Sequence, residues 1–230
     1  MKIRVIDLET TGLPEDEVKA ICEIGWTDVA ETGQLLNHGS FLVNPGHPIP
    51  PQTRAIHHIS DADVAGAVSP TQGTMSLMNG MIPGDMFAAH NIAFEQAFVG
   101  GGELPWICTL KCALHLFPDA PSHSNQSLRY WLGVDNDDGF NPDLSMPPHR
   151  AGPDTYVTAF ILRRLLMIAP PHELARLTLA PVLLKKMSFG KHRGTAFADL
   201  PTDYLRWMSG QRFDADVMHT VRHHLKERGL

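Results

Sequence analysis

Two carboxylates near the N-terminus stand where the sequence could hold a metal ion. Asp7 and Glu9 end a strand-like segment that begins "MKIRVI". Residues i and i+2 of a strand point to the same side, so the two carboxylates should lie close together and repel each other. A divalent cation with oxygen ligands would relieve that repulsion. The simpler alternative is a turn, since "TTGLP" follows and acidic residues often end strands as turn formers.

A second segment, "FAAHNIAFEQAF", adds another carboxylate. A short strand ends near His90, and a helix follows that carries Phe94, Glu95 and Phe98. The two phenylalanines share one helical face at i, i+4 spacing, which is typical of core packing. Glu95 then projects from a different face, near the end of the strand.

A third segment, "PPHRAGPDTYVTAFIL", combines a histidine with a carboxylate at a helix start. His149 precedes Asp154 by five residues. The helix dipole favours a carboxylate in the first turn, so a purely structural role for Asp154 is an alternative. A solvent-exposed loop residue is the simpler interpretation of His149 alone.

The elements that must carry these residues follow a mixed α/β pattern. "AICEIGWTDVA" and "QLLNHGSFLVNPG" predict two strands after the first one, which together would make an antiparallel meander. Helices and short strands then alternate, and apolar residues recur at helical spacing over residues 151–167. This order predicts an α/β fold with a mixed sheet flanked by helices.

Composition and charge narrow the class of protein. With 230 residues, 43% of them apolar, the chain can form one substantial domain with a small addition. The chain has no run of eighteen apolar residues, no secretory signal and only three cysteines, so we expect a soluble cytoplasmic protein without a membrane partner.

The charge is divided unevenly along the chain. Residues 1–101 hold four Lys/Arg against twelve Asp/Glu, whereas residues 171–230 hold ten against six. A basic C-terminal segment of this kind favours contact with a polyanion, although a solvated helical face explains it nearly as well.

Taken together, the three segments resemble the DEDDh family of 3′–5′ exonucleases in the ribonuclease H-like superfamily. Asp7 and Glu9 in "IDLETTGL" match the first motif, Glu95 in "AHNIAFE" the second, and His149 and Asp154 in "HRAGPD" the third. The resemblance implies a ribonuclease H-like mixed sheet over residues 1–168. One departure is Glu95, because the family usually has aspartate there.

The resemblance also implies roles for individual residues. Two Mg²⁺ or Mn²⁺ ions would be held by Asp7, Glu9, Glu95 and Asp154, and His149 would act as the general base. Leu13 would wedge against the terminal base, and the other substrate contacts would come from Thr10, His90, Asn91 and Phe94.

The C-terminal segment "MSFGKHRGTAFADLPTDYLRWM" is similar to the C-terminal module of the exodeoxyribonuclease X branch of this family. We therefore predict an exonuclease domain over residues 1–168, a linker over 169–184 and a small basic module over 185–230 that contains the FGKHRG loop. Lys191 and Arg193 of that loop are expected to contact phosphates. A folded spacer or a protein-docking module is the alternative.

The expected function is a metal-dependent 3′–5′ exodeoxyribonuclease that acts on single-stranded or frayed DNA ends. It would release nucleoside 5′-monophosphates in DNA repair or recombination. An RNA exonuclease of the oligoribonuclease or ribonuclease T type is an alternative, because the sequence does not show how the pocket treats a 2′-OH. A weakly active nucleic-acid-binding module is another, motivated by Glu95.

Overall fold

A five-stranded mixed sheet forms the centre of the computed structural model, which describes residues 1–230. The strands are β1 (Lys2–Thr10), β2 (Ile21–Ala30), β3 (Leu35–Leu42), β4 (Met86–Ala89) and β5 (Trp106–Cys108). Their order is β3-β2-β1-β4-β5, with β2 antiparallel to β1 and β3, and with β4 parallel to β1 and β5. The predicted meander and the mixed α/β sheet are both confirmed.

Helices cover both faces of this sheet. The helices of the chain are α1 (Pro51–His57), α2 (Asp61–Val64), α3 (Pro70–Met78), α4 (Ile92–Val99), α5 (Thr109–Leu116), α6 (Asn125–Trp131), α7 (Ala151–Leu166), α8 (Pro171–Leu179), α9 (Thr202–Ser209) and α10 (Ala215–Glu227). The last two, α9 and α10, pack against each other away from the sheet. Alternate residues of β1 divide between the two faces, as strand geometry requires. Ile3 and Val5 pack into the cluster that contains α5, α7 and α8, whereas Ile6 and Leu8 pack into the cluster on the other face.

Helix α7 is the longest helix and packs across β1 and β2. Its close approach requires a glycine, because a Cβ on Gly25 of β2 would lie 2.2 Å from the carbonyl oxygen of Ala151. The first turn of α7 is thus held directly over the strand pair that carries the N-terminal carboxylates.

The segment expected to be a linker, residues 169–184, contains helix α8. Leu174 of this helix is fully buried in the same cluster as Ile3 and Val5 of β1. Thr178 accepts a hydrogen bond at 2.8 Å from the backbone N–H of Cys108 at the end of β5. Helix α8 packs in this place because its sequence is amphipathic, and its apolar face covers the sheet beside α5. This half of the segment therefore packs with the preceding part of the chain.

The C-terminal module has a hydrophobic cluster of its own. Its buried members are Met187, Phe197, Leu200, Leu205, Met208, Val217 and Val221. The module is joined to the rest of the chain by ion pairs between Lys111 and Asp216, at 3.3 Å, and between Lys185 and Asp119. None of the helices combines the length and apolarity needed to cross a membrane.

Candidate active site

Three carboxylates from two distant parts of the chain meet at one edge of the sheet. One carboxylate oxygen from each of Asp7, Glu9 and Asp154 lies within 4.8 Å of the others. Asp7 and Glu9 share a face of β1, and Asp154 lies in the first turn of α7. The cluster therefore exists because α7 is packed on the same face of β1 to which Asp7 and Glu9 point.

Glu95 is the fourth predicted acid, and it stands in the first turn of α4 directly after β4. The parallel pairing of β1 and β4 brings the end of β4 to the same edge as Asp7, since Val5 pairs with Ala88. Glu95 is 4% exposed, and its Oε2 atom has no hydrogen-bond partner. A buried carboxylate oxygen without a partner is costly unless a cation or a proton satisfies it.

The pKa values of these acids are raised, mainly by burial and, for Asp7 and Glu9, also by the neighbouring carboxylates. Burial, followed by the charges of Glu9 and Asp154, raises the pKa of Asp7 well above its ordinary value. Burial, Asp154 and Glu23 raise the pKa of Glu9 to about 8. Burial raises the pKa of Glu95 to about 8 as well. Such a set of oxygen donors fits a divalent cation, which would stabilise all the carboxylates in their ionised form.

Asp154 is oriented by hydrogen bonds from two other segments. The backbone N–H of His149 donates to its Oδ2 at 2.8 Å, and Nε2 of Gln126 on α6 donates to its Oδ1 at 3.2 Å. Burial raises the pKa of Asp154, and these two donors oppose the rise. Gln126 was not predicted, because nothing local in the sequence of α6 indicates that it faces α7.

His149 lies at the open rim of the carboxylate cluster. Its side chain is exposed, and its backbone adopts a φ of 60°, which is rare for a residue with a side chain. Residues held in this region commonly occur at functional sites. The backbone N–H of His149 holds this residue to Asp154, and the imidazole itself is exposed to water.

The sequence did not predict an ion pair next to the cluster, between a buried glutamate and a half-buried arginine. Glu23 of β2 pairs across the sheet with Glu9 and is 2% exposed. Arg150 donates to both of its carboxylate oxygens, from Nε at 2.8 Å and from Nη2 at 3.0 Å, and the N–H of Ala151 donates at 3.1 Å. The available signal was an acidic residue inside the otherwise apolar strand "ICEIGW".

The predicted substrate-contact residues fall into different environments. Leu13 is 54% exposed in the turn after β1, and Asn91 is exposed just before α4. Thr10 is buried and donates a hydrogen bond to the carbonyl oxygen of Gly12, at 2.8 Å. Phe94 is half-buried, with its ring centroid 5.2 Å from that of Phe98. Leu13 and Asn91 are thus the side chains most open to a ligand.

His90 does not have the free ring nitrogens that a polar contact with nucleic acid would need. Its Nδ1 lies 3.0 Å from the hydroxyl of Thr109, and its Nε2 donates to the carbonyl oxygen of His123 at 2.8 Å. Burial lowers the pKa of His90 to about 4, so the ring is neutral. Both ring nitrogens hold β4 to the segments around it, and the substrate contact expected of His90 stays a prediction.

Lys191 and Arg193 lie outside the carboxylate cluster, on the C-terminal module. Both side chains are exposed, and Nζ of Lys191 lies 5.1 Å from the ring centroid of Tyr204. Neither of them forms an ion pair with residues 1–168.

Comparison with family models and curated proteins gives matches over most of the chain. The exonuclease family model matches residues 5–162, and the model described as a putative quorum-sensing-regulated virulence factor matches residues 176–222. Exodeoxyribonuclease 10 of Escherichia coli (strain K12) is 32% identical over 97% of this chain and 99% of its own length.

Solved structures agree with these family and sequence matches. A structure described as exonuclease X in complex with 5′ overhanging duplex DNA matches with a TM-score of 0.64 and 31% identity, over 76% of this chain and 99% of that one. The nuclease domain of 3′hExo, described as a DEDDh family member bound to rAMP, shares the fold with a TM-score of 0.57 and 18% identity, over 72% of this chain and 92% of that one. The chain, whose carboxylate cluster has the donors that this metal-dependent group requires, belongs to the exonuclease family and is a 3′–5′ exonuclease of the DEDDh type.

Proposed function

We propose that this protein hydrolyses DNA from single-stranded or frayed 3′ ends, with two Mg²⁺ or Mn²⁺ ions, and releases nucleoside 5′-monophosphates. The observation that carries the proposal is the cluster of Asp7, Glu9 and Asp154, whose carboxylate oxygens lie within 4.8 Å of one another. The buried and unpartnered Oε2 of Glu95 supports a fourth donor. A trimming activity of this kind suits DNA repair or recombination.

In this proposal the carboxylates bind the metal and His149 handles the proton. Asp7, Glu9, Asp154 and Glu95 would be the ligands, and the bound ions would stabilise the negative charge that develops on the phosphate oxygens. His149 would take a proton from the attacking water, since its exposed ring stands next to Asp154. Water adds to phosphorus, and the bond from phosphorus to the 3′ oxygen of the preceding nucleotide breaks. That oxygen takes up a proton from solvent and becomes the 3′-OH of the shortened strand, while the phosphate stays on the 5′ oxygen of the released nucleotide.

DNA as substrate is supported by the similar proteins. The relative at 32% identity carries the name exodeoxyribonuclease, and the structure at 31% identity holds a DNA duplex with a 5′ overhang. The exposed Leu13, four residues after Glu9, supports a preference for unpaired ends, because an exposed apolar side chain can contact the face of a terminal base. A paired end must first be opened, which costs a few kcal/mol.

The test is degradation of 5′-labelled single-stranded DNA and RNA of one sequence, with Mg²⁺, Mn²⁺ or EDTA. We expect a ladder shortened from the 3′ end, 5′-mononucleotide products, and no cleavage in EDTA. Asp7→Asn and Asp154→Asn should each lower the rate at least about a hundredfold. Asp143→Asn, at an exposed acid in the loop before α7, is the matched control and should keep wild-type activity.

Three outcomes would contradict the proposal. Full activity of Asp7→Asn would remove the metal-binding role of the cluster. Products with 3′-phosphates would show that a different bond is broken. Faster degradation of RNA than of DNA would favour an RNA exonuclease instead.

A further inference from the structure

A row of aromatic rings crosses the surface of the C-terminal module. The ring of His192 in the FGKHRG loop lies 4.4 Å from that of Tyr204 on α9, and Tyr204 lies 5.3 Å from Trp207 with an angle of 29° between the rings. Trp207 in turn lies 6.3 Å from Phe213, which is 5.3 Å from Phe189. The row therefore joins the loop, α9 and the segment before α10.

One member of this row, Trp207, is exposed, and the other four are half-buried. Phe189 and Phe213 pack against the hydrophobic cluster of the module and anchor the row. Trp207 is 51% exposed, and its neighbours Tyr204 and His192 are half-buried. The outer end of the row, formed by His192, Tyr204 and Trp207, is hereafter the aromatic ledge. Tyr204 packs against the hydrophobic cluster on one side, and Trp207 presents most of the exposed ring surface of the ledge to solvent.

Positive charge surrounds the aromatic ledge. Nζ of Lys191 lies 5.1 Å from the ring centroid of Tyr204, and Arg193 and Arg212 are exposed in the two segments that flank α9. The nearby acids have partners, since Asp203 pairs with Arg206 at 3.3 Å and Asp214 accepts a hydrogen bond from the N–H of Val217. Lys191, Arg193 and Arg212 form no ion pair, so their charge is available to a polyanion.

We propose that the aromatic ledge, with Lys191 and Arg193, is a second nucleic-acid-binding site that stacks unpaired bases of a DNA strand. Single-stranded nucleic acid is the ligand that uses both features, because its bases stack on rings while its phosphates meet cations. Protein interfaces also contain Tyr, Trp and Arg, but the unpaired positive charge of the ledge favours a polyanion. The inference rests on the proposed function, since it gives the same substrate a second contact away from the cleaved end.

The first arm of the test measures binding of fluorescein-labelled oligo(dT) of 30 nucleotides to the full-length chain in EDTA, where hydrolysis is blocked. We expect Trp207→Leu to bind about tenfold more weakly and Trp207→Phe to bind nearly as well as wild type. The matched control is Trp131→Leu, at a tryptophan that is 44% exposed on α6 of the exonuclease domain, and it should bind normally. Equal affinity of Trp207→Leu and wild type, or equal losses in the Leu and Phe variants, would overturn the proposal.

The second arm separates stacking from charge by the salt dependence of the same binding reaction. Replacing Lys191 and Arg193 together by Gln should make the slope of log affinity against log salt shallower by about 1 to 2. Trp207→Leu should lower affinity without changing that slope, because stacking releases no counterions. An unchanged slope in the Lys191 and Arg193 double variant would show that these side chains do not contact phosphates, and it would overturn the proposed site.

A separate measurement keeps this inference distinct from the proposed function. Hydrolysis of a trinucleotide by wild-type protein with Mg²⁺ reports only on the carboxylate cluster, whereas the oligo(dT) experiment in EDTA reports only on binding. No trinucleotide hydrolysis would defeat the proposed function, and normal oligo(dT) binding by Trp207→Leu would defeat the ledge.

Discussion

At the scale of single residues, the contact between Glu23 and Arg150 links the sheet to the proposed general base. Arg150 is the neighbour of His149, and its guanidinium is held by both carboxylate oxygens of Glu23. The contact raises the pKa of Arg150 further, so the guanidinium stays ionised. Because Glu23 sits opposite Glu9 on the adjacent strand, the pair fixes the backbone from which both His149 and Asp154 reach the cluster.

We predict that Arg150→Met lowers kcat at least about tenfold with little change in KM. The imidazole of His149 is still present in this variant, but the backbone that carries it is no longer held in place. The variant should also lose about 1–2 kcal/mol of stability, since the buried Glu23 is left with only the N–H of Ala151. Steady-state kinetics and urea unfolding measure the two effects. Adding Glu23→Gln should restore stability but not rate, and a double variant with wild-type kcat would contradict the positioning role.

The second residue-scale prediction concerns pH. Glu9 and Glu95 have pKa values raised from 4.5 to about 8, so the folded metal-free protein holds protons that the unfolded chain releases between these values. The stability that these groups contribute is therefore present below about pH 4.5 and is lost as the pH rises through about 8. In EDTA, we expect a lower Tm at pH 8 than at pH 5.

Metal should reverse this trend, because the cation binds the deprotonated carboxylates. Saturating Mg²⁺ should raise Tm more at pH 8 than at pH 5. Glu95→Gln should flatten the pH dependence in EDTA, whereas Glu103→Gln, at an exposed position, should not. A metal-free Tm that rises from pH 5 to pH 8 would contradict the raised pKa values of the cluster.

At the scale of elements, the close approach of α7 to β2 assembles the site. Asp7 and Glu9 lie on one strand, but Asp154 joins them only because the first turn of α7 lies over Gly25. The hydrogen bonds that Asp154 receives from His149 and from Gln126 of α6 then set the direction of its carboxylate. A small displacement of α7 would therefore separate the ligands without changing any of them.

We predict that Gly25→Ala displaces the start of α7, because the new Cβ would lie 2.2 Å from the carbonyl oxygen of Ala151. The free energy of unfolding should fall by about 3 kcal/mol, and kcat should fall with it as Asp154 moves. Gly66→Ala is the matched control, since a Cβ there meets no atom within 4 Å. Urea unfolding and steady-state kinetics measure the two effects. A fully stable and active Gly25→Ala variant would show that the close approach of Gly25 to Ala151 does not position α7.

At the scale of the whole molecule, helix α8 belongs with the exonuclease core although it follows the expected boundary near residue 168. Leu174 is fully buried, and Thr178 bonds to the end of β5. The family model for exonucleases ends at residue 162, and the second model begins at residue 176, inside α8. Contacts, and not the ends of the family matches, therefore indicate where the chain can be cut.

We predict that a chain ending at Ala180 is more stable than one ending at Ala169. Loss of Leu174 alone uncovers apolar core, which should cost about 3 kcal/mol. Urea unfolding of the two truncated chains measures the difference. Equal stabilities would mean that α8 adds nothing to the core.

The final prediction concerns the uneven charge of the molecule. Residues 171–230 carry ten Lys/Arg against six Asp/Glu, whereas the preceding part is acidic. Removing residues 181–230 should therefore make the salt dependence of DNA binding shallower and raise the apparent KM on long DNA. Fluorescence anisotropy at several salt concentrations tests this. Identical slopes for the truncated and full-length chains would leave the module as a structural or protein-docking unit.

The sequence by itself was enough to predict the features that depend on neighbours along the chain. The alternation of apolar residues predicts the strands, and a strand period of two residues places Asp7 and Glu9 on one face without any knowledge of the fold. Helical spacing likewise predicts residues 151–167, within one residue of the end of α7. The mixed α/β class followed from the order of these elements.

Only the tertiary structure decided which distant residues meet. Glu23 faces Glu9 because of the register between β1 and β2, and both ring nitrogens of His90 are engaged by residues 19 and 33 positions further along the chain. The burial of Leu174 by the catalytic core has the same origin. Local sequence carries strand and helix periods but not the register and packing between elements, because those depend on which surfaces the folded chain removes from water together.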